Sequence, residues 1–382
     1  MRITRKKKGP CLREVSHRQG PLTIRGSFSR LHTKNQRPIN SLDLISVISA
    51  FAVTFLHANN CYWTFSSTER YWLTANIIEN LFYFAVPLFL MISGVTLLDY
   101  RKKYSTKQFI RKRIKKVLIP YIIWSLIGIC WVYILFPEKY GVDSLSVKHI
   151  INMLLNGNGI RYFWFFIPLF MIYFSIPFIS EIRSDRRIKL FSGYIFLFLI
   201  MNGTLPLLDS LFNLGLYFEK WRVPVISGYL VYPLAGYVIY NVKFSKYQKA
   251  IILSVGLLAL VVMTTGTYYE SLRINEINDI FKGDQNLPCL LYSFAMFLLL
   301  KEVFVKFSDN TKVLKAISFL RPYTFSVYLL QFFVFESVTL FTKINQKSIF
   351  YRVLFPFALY AIIIFITKFL RKFKVGRLVL PS

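Results

Sequence analysis

Apolar positions in this chain gather into ten runs, near residues 41–58, 78–99, 117–136, 162–180, 190–208, 223–241, 249–267, 286–306, 318–340 and 351–370. Each run is close to the roughly 20 residues that carry an α-helix across a bilayer. The pattern predicts an all-α integral membrane protein of about ten transmembrane helices. Between the runs, the polar segments alternate in charge. YRKKYSTKQFIRKRIKK (100–116), EIRSDRRIK (181–189), the stretch from Lys243 to Lys249, KEVFVKFSDNTKVLK (301–315) and RKFKVGR (371–377) are basic. The intervening loops have few basic residues and hold Glu69, Asp143, Asp209, Glu270 and Asp279. Lys and Arg concentrate in cytoplasmic loops, so this asymmetry places both termini in the cytoplasm.

Residues 1–40 precede the first run and differ from everything after it: strongly basic, without an apolar stretch, and punctuated by Pro and Gly. They read as a disordered cytoplasmic tail ahead of a membrane domain over 41–382. Attraction to anionic headgroups would give the tail a role, at about 1 kcal/mol per basic residue near the surface. A merely solvated leader fits equally well.

Composition supports the membrane assignment. Of 382 residues 55% are hydrophobic, with 38 Phe and 24 Tyr, too apolar for a soluble domain of this size. The net charge of +30 raises nucleic acid as a partner, but the basic residues sit in short blocks between apolar runs, as topology requires. Cys11, Cys61, Cys130 and Cys289 show neither metal-ligand spacing nor a disulfide framework, so no metal is expected. Pro87, Pro168, Pro177 and Pro233 fall inside runs, where kinked helices can open a cavity.

Chemistry has few candidates in such a chain. The first run, SLDLISVISAFAVTFLH, ends in His57. An ionisable group at membrane depth is a functional hypothesis by default, and an imidazole can take a proton from a hydroxyl near neutral pH. The alternative is a histidine at headgroup level bonded to Asn59 or Asn60. In the second run, Ser93 and Gly94 would let another helix approach closely. The block Arg111, Lys112, Arg113, Lys115, Lys116 suits the phosphates of a nucleotide-bearing donor, and equally suits plain topology determination. Glu79, Arg161, Asn202, Gln331 and Glu336 lie at or inside runs. Interfacial solvation is the favoured reading for Glu79 and Arg161 at run ends, and a polar partner or cavity for Gln331 at mid-run. Tyr71, Trp72, Trp124 and Trp221 read as interfacial belt residues.

Taken in order, SLDLISVISAFAVTFLH, VPLFLMISG, FIRKRIKKVLIPYIIW, YFWFFIPLFMIYFSIPFI, VYPLAGYVIY and YTFSVYLL resemble the membrane-bound acyltransferase family 3, the bacterial O-acyltransferases of surface polysaccharides. The resemblance spans about residues 41–370. It implies transfer of an acyl group, usually acetyl from acetyl-CoA, to a sugar hydroxyl of a lipid-linked or nascent glycan at the bacterial inner membrane. By the same resemblance His57 is the catalytic residue, Asp43 opens its helix, and Arg111, Arg113 and Lys116 bind the donor. Three positions depart from the family pattern. Ser46 stands where a basic residue is usual, Tyr162-Phe163-Trp164 where many members have His-Leu-Trp, and Gln331 where a histidine often ends the ninth-span motif. Serine supplies no positive charge and glutamine carries no proton. Asp43, Ser46, Tyr162, Trp164 and Gln331 are therefore expected to line the cavity or meet the acceptor, with proton transfer resting on His57. The competing reading is a non-catalytic relative or transporter that handles a glycan, which Ser46 and Gln331 favour.

Overall fold

A computed structural model describes residues 39–140, 145–216, 228–342 and 344–381. Outside these lie the tail (1–38) with Cys11, the loop residue Asp143, the belt candidate Trp221 and the first part of the 223–241 run. The described residues form helices and turns, with no strand among them.

Nine segments among the described residues are long and apolar enough to cross a membrane, and they match nine of the ten runs. The first is α1 (Ser41–Ala58). The second joins α2 (Arg70–Phe82) to α3 (Ala85–Leu97). The third joins α4 (Thr106–Arg113), a π-helical turn at Ile114–Leu118 and α5 (Ile119–Leu135). Two short helices follow, α6 (Pro137–Tyr140) and α7 (Val147–Leu155). A 3₁₀ turn at Arg161–Phe165 then leads into α8 (Phe166–Ile179). The fifth segment runs from α9 (Ser184–Phe198) through a second π-helical turn to α10 (Leu205–Phe212).

Between the fifth and seventh runs lies α11 (Val231–Asn241), short but buried along nearly its whole length. Then come α12 (Lys246–Ile274), α13 (Leu287–Lys306), α14 (Thr311–Leu320) with α15 (Thr324–Phe341), and α16 (Ile349–Leu370). The short α17 (Lys374–Val379) ends the described chain.

Where the first and last of these helices meet bears on the number of crossings. Asp43, in the first turn of α1, pairs with Arg321 just ahead of α15 at 3.3 Å. Arg371, just past α16, donates to the carbonyl of Pro322 at 2.8 Å. The start of α1 and the end of α16 therefore share one end of the bundle, which demands an even number of crossings. α11 supplies the tenth: near its start Tyr232 donates to the carbonyl of Asp284, and its last carbonyls accept from Lys301 at 2.9 and 2.8 Å. Reporter fusions after Lys116, Arg187 and Lys315 are expected to read cytoplasmic, and one near Asp279 external. A reversed reading at any of these would break the ten-crossing arrangement.

α11 sits in the middle of the bundle because glycines remove the side chains that would hold it off. A Cβ on Gly94 of α3 would lie 1.8 Å from the Pro233 carbonyl oxygen, and one on Gly236 would lie 2.3 Å from that of Met91. The Ser-Gly step of the second run is thus a site of close helix approach. Pro87, Pro168 and Pro233 each occupy the third position of a helix, where the missing N–H would have had no partner within the helix. Large apolar side chains such as Phe174, Phe178 and Phe365 stand exposed on these membrane-length helices.

Candidate active site

Asn40 caps α1 through a reciprocal capping box with Asp43, bonding its backbone N–H to Oδ2 at 2.9 Å and accepting from Asp43 N at 3.3 Å. That box fixes the start of the helix and carries His57 into its last turn, about 21 Å along the axis from Asp43. There the imidazole stacks on Tyr162, with ring centroids 3.6 Å apart and planes within 8°. Tyr162 is held in turn. Its carbonyl accepts from Tyr328 of α15, and its ring meets Phe332 edge-on at 5.7 Å.

Gln331, fully buried on α15, interacts with the imidazole through its side chain and donates to the Tyr328 carbonyl at 3.3 Å. His57 Nδ1 and Gln331 Oε1 are both buried without a partner of hydrogen-bonding geometry. Arg161 lines the same cavity as His57. The buried Glu336 carboxylate, five residues after Gln331, accepts from Lys139 Nζ at 2.7 Å and from the Tyr140 hydroxyl at 2.6 Å.

His57, Arg161, Tyr162 and Trp164 line one cavity of about 270 Å³. The break between α2 and α3 forms another part of its wall, through Glu79, Tyr83 and Val86. A prolyl interruption thus opens a cavity here, as expected for an apolar run containing proline. Trp63 and Asp284, from the loops beyond α1 and ahead of α13, complete the polar and aromatic lining.

A buried ion pair stands behind this wall. Lys282, completely buried, lies 3.4 Å from Glu79 Oε1 and 3.7 Å from Asp279 Oδ1. Its ammonium sits 4.2, 4.3 and 4.6 Å from the ring centres of Tyr62, Trp63 and Tyr83, a cation in an aromatic cage. Glu79 also accepts from Asn59 Nδ2 at 3.2 Å. Asn59 Oδ1 accepts from the buried Arg352 at 3.3 Å, and Arg352 reaches Thr74 Oγ1 at 2.7 Å. Asn59 is therefore committed to Glu79, Ala75 and Arg352, not to His57.

Several sequence expectations change here. Glu79 is buried in this network and is not solvated at an interface. Trp72, Tyr71 and Trp124 are core residues in place of belt residues; Trp72 Nε1 donates to the Tyr62 carbonyl and Trp124 Nε1 to that of Val379. Each has found a partner inside the protein, which removes the reason for an indole to sit in the headgroups.

The structure brings His57, Tyr162, Trp164 and Gln331 together and leaves the other candidates at the opposite end. Asp43 is spent on the cap and on Arg321, and Ser46 Oγ donates to Thr324 Oγ1 at 3.3 Å. Arg111 on α4 and Lys116 in the π-helical turn after it are exposed. Arg113 packs against Phe109 and Tyr173, with ring centres 5.7 and 5.6 Å away. None of these lines the His57 cavity. Arg161 and Glu79 were visible in the sequence as polar residues at run ends, but Lys282, Asp284 and Trp63 had no signal there, lying in loops of unremarkable composition.

A family model described as an acyltransferase domain matches residues 39–371. The chain belongs to that acyltransferase family. It is the family that the six motifs resemble, and every cavity residue of this acyltransferase falls within the match. The chain is also similar to proteins named "Probable poly-beta-1,6-N-acetyl-D-glucosamine export protein". One from Staphylococcus aureus (strain MSSA476) is 26% identical over 285 residues, covering 71% of this chain and 74% of the relative. One from Staphylococcus epidermidis is 25% identical over 281 residues, covering 71% and 73%. No solved structure matches.

Proposed function

We propose that this acyltransferase moves an acyl group, acetyl from acetyl-CoA, onto a sugar hydroxyl of a cell-envelope polysaccharide in the bacterial cytoplasmic membrane. The observation that carries this reading is His57 itself: an imidazole fixed by stacking, facing a cavity and served by Gln331 and Arg161. The acceptor hydroxyl gives its proton to the imidazole as its oxygen attacks the thioester carbonyl. Arg161 is the cavity's positive charge for the tetrahedral oxyanion. Collapse expels the coenzyme A thiolate, which takes the proton back from the imidazolium. The products are the sugar ester, free coenzyme A and neutral His57. Gln331 orients the ring without relaying a proton, since an amide has no titratable one.

The donor phosphates are assigned to Arg111, Arg113 and Lys116 at the end of the bundle where α1 begins. α1 is about 27 Å long, so the donor's acyl arm must extend through the bundle toward His57. A second reading, export of a glycan without chemistry, is favoured by the names of the staphylococcal relatives.

The deciding experiment offers acetyl-CoA and a β-1,6-linked N-acetylglucosamine oligosaccharide to the purified protein in nanodiscs and measures ester-linked acetyl by mass spectrometry. Acetylation of the sugar is expected. Replacing both Arg111 and Arg113 with glutamine removes charge-assisted bonds worth about 1.5–3 kcal/mol each, and should raise the KM for acetyl-CoA at least tenfold. Absence of transfer, with polysaccharide retained inside cells that lack the protein, would favour export.

A further inference from the structure

Trp63 and Trp164 are among the large apolar side chains left exposed, at 47% and 38%, yet both face the His57 cavity and not only the surroundings. They come from different elements. Trp63 ends the 3₁₀ turn after α1, and Trp164 lies in the 3₁₀ turn before α8, two residues after the Tyr162 ring that holds His57. Beside Trp164 stands Tyr229, with ring centroids 6.4 Å apart, and the Tyr229 hydroxyl donates to Asp284 Oδ2 at 3.1 Å. The Tyr83 hydroxyl reaches the same carboxyl group. Burial holds the Asp284 carboxyl above the usual carboxylate range, and the Tyr229 hydroxyl works against that rise.

Asp284 differs from the other acid in this wall. Glu79 pairs with Lys282 at 3.4 Å and accepts from Asn59, whereas Lys282 acts on Asp284 only through space and the hydrogen bonds to that carboxyl come from phenols. A carboxyl group offers about four lone-pair sites, so two phenolic donors leave acceptor capacity directed at a cavity that Asp284 lines. The rigid backing is also present: Trp63 packs edge-on against Tyr62 at 5.2 Å and covers the caged Lys282 at 4.3 Å.

We infer that the end of the cavity bounded by Trp63, Trp164 and Asp284 is the subsite for one pyranose ring of the acceptor, an assignment that rests on the acyl-transfer reading above. Indole faces pack on the C–H face of a sugar ring, and the ring's hydroxyls require acceptors, which Asp284 supplies. Apolar walls with a few convergent polar groups are the composition of a small-molecule site. At about 270 Å³, just under the roughly 300–1,000 Å³ usual for such sites, the cavity takes a single ring and not an oligosaccharide. One hydroxyl of that ring then lies toward His57, on the same wall as Trp164. Which hydroxyl is acylated is set by the ring's orientation between the two indoles and the carboxyl group.

The test separates binding from chemistry. A β-1,6-linked N-acetylglucosamine oligosaccharide is titrated into the nanodisc protein without any acyl donor, following intrinsic tryptophan fluorescence and, independently, calorimetric heat. Wild type should bind with a fluorescence change. Trp164→Ala and Asp284→Ala should each weaken binding at least tenfold, Trp164→Phe by less, and Asp284→Asn by an intermediate amount because one acceptor oxygen remains. In the transfer assay the same variants should raise the KM for sugar and leave that for acetyl-CoA unchanged. Binding without any transfer would keep this subsite while removing the acyl-transfer reading. Wild-type transfer with an unchanged sugar KM in folded Trp164→Ala and Asp284→Ala would overturn the subsite while leaving that reading intact, as would absence of binding to wild type.

Discussion

His57→Ala is expected to abolish acyl transfer in a protein that still folds and inserts. Loss of a positioned general base lowers the rate by about 10²–10⁴-fold, and among the described residues no second imidazole or lysine lines the cavity to replace it. Folding should survive for a local reason. His57 Nδ1 makes no hydrogen bond, and Gln331, which loses its contact with the imidazole, keeps its bond to the Tyr328 carbonyl. The 3.6 Å stack on Tyr162 is also lost, but that residue remains braced by Phe332 and by the Tyr328 bond. Monodisperse elution and wild-type thermal unfolding, together with loss of ester-linked acetyl on the sugar, are the expected results. Undiminished transfer by a well-folded His57→Ala protein would remove the imidazole from the mechanism.

Lys282→Ala has the largest expected effect on stability. Glu79 is 3% exposed and Lys282 is fully buried, so each charge depends on the other and on the cage around them. Removing one member of a buried pair typically destabilises by about 3–5 kcal/mol, because the survivor is left charged and dry. Three cation–π contacts disappear in the same step. Thermal unfolding in detergent should show a clear drop in midpoint for Lys282→Ala. Much of it should return in the Glu79→Gln, Lys282→Met double variant, where no uncompensated charge remains. An unshifted midpoint in the single variant would mean that the pair contributes nothing, and a double variant no better than the single would place the loss in the aromatic cage.

The second expectation concerns Lys282, which no sequence pattern singled out, and Glu79, which the sequence marked only as a solvated run-end residue, while the first concerns one that the pattern made prominent. His57 stands out because α1 is apolar around it, and any ionisable group on such a run demands an explanation. Asp43 was equally visible in the first turn, yet its place is structural: it closes a capping box and pairs with Arg321, a residue 278 positions away. Sequence proximity and motif membership cannot separate those outcomes, since both residues sit on one helix of one family motif.

The run lengths and the alternation of basic loops were enough to determine an all-helical membrane bundle of about ten spans, because each crossing helix must satisfy its own backbone hydrogen bonds and match the bilayer. The motif series was enough to place the chain in its family. What only the tertiary structure decided is which polar groups meet. Gln331 reaches His57 from α15, Trp164 from the turn before α8, and Asp284 and Lys282 from the loop ahead of α13. Arg352, from the start of α16, secures Asn59 and through it Glu79. These contacts join positions tens to hundreds of residues apart. Hydropathy is read along one helix at a time, but burying a charge or a base inside a membrane protein requires partners from several helices at once, and their registers are set by close packing of the whole bundle.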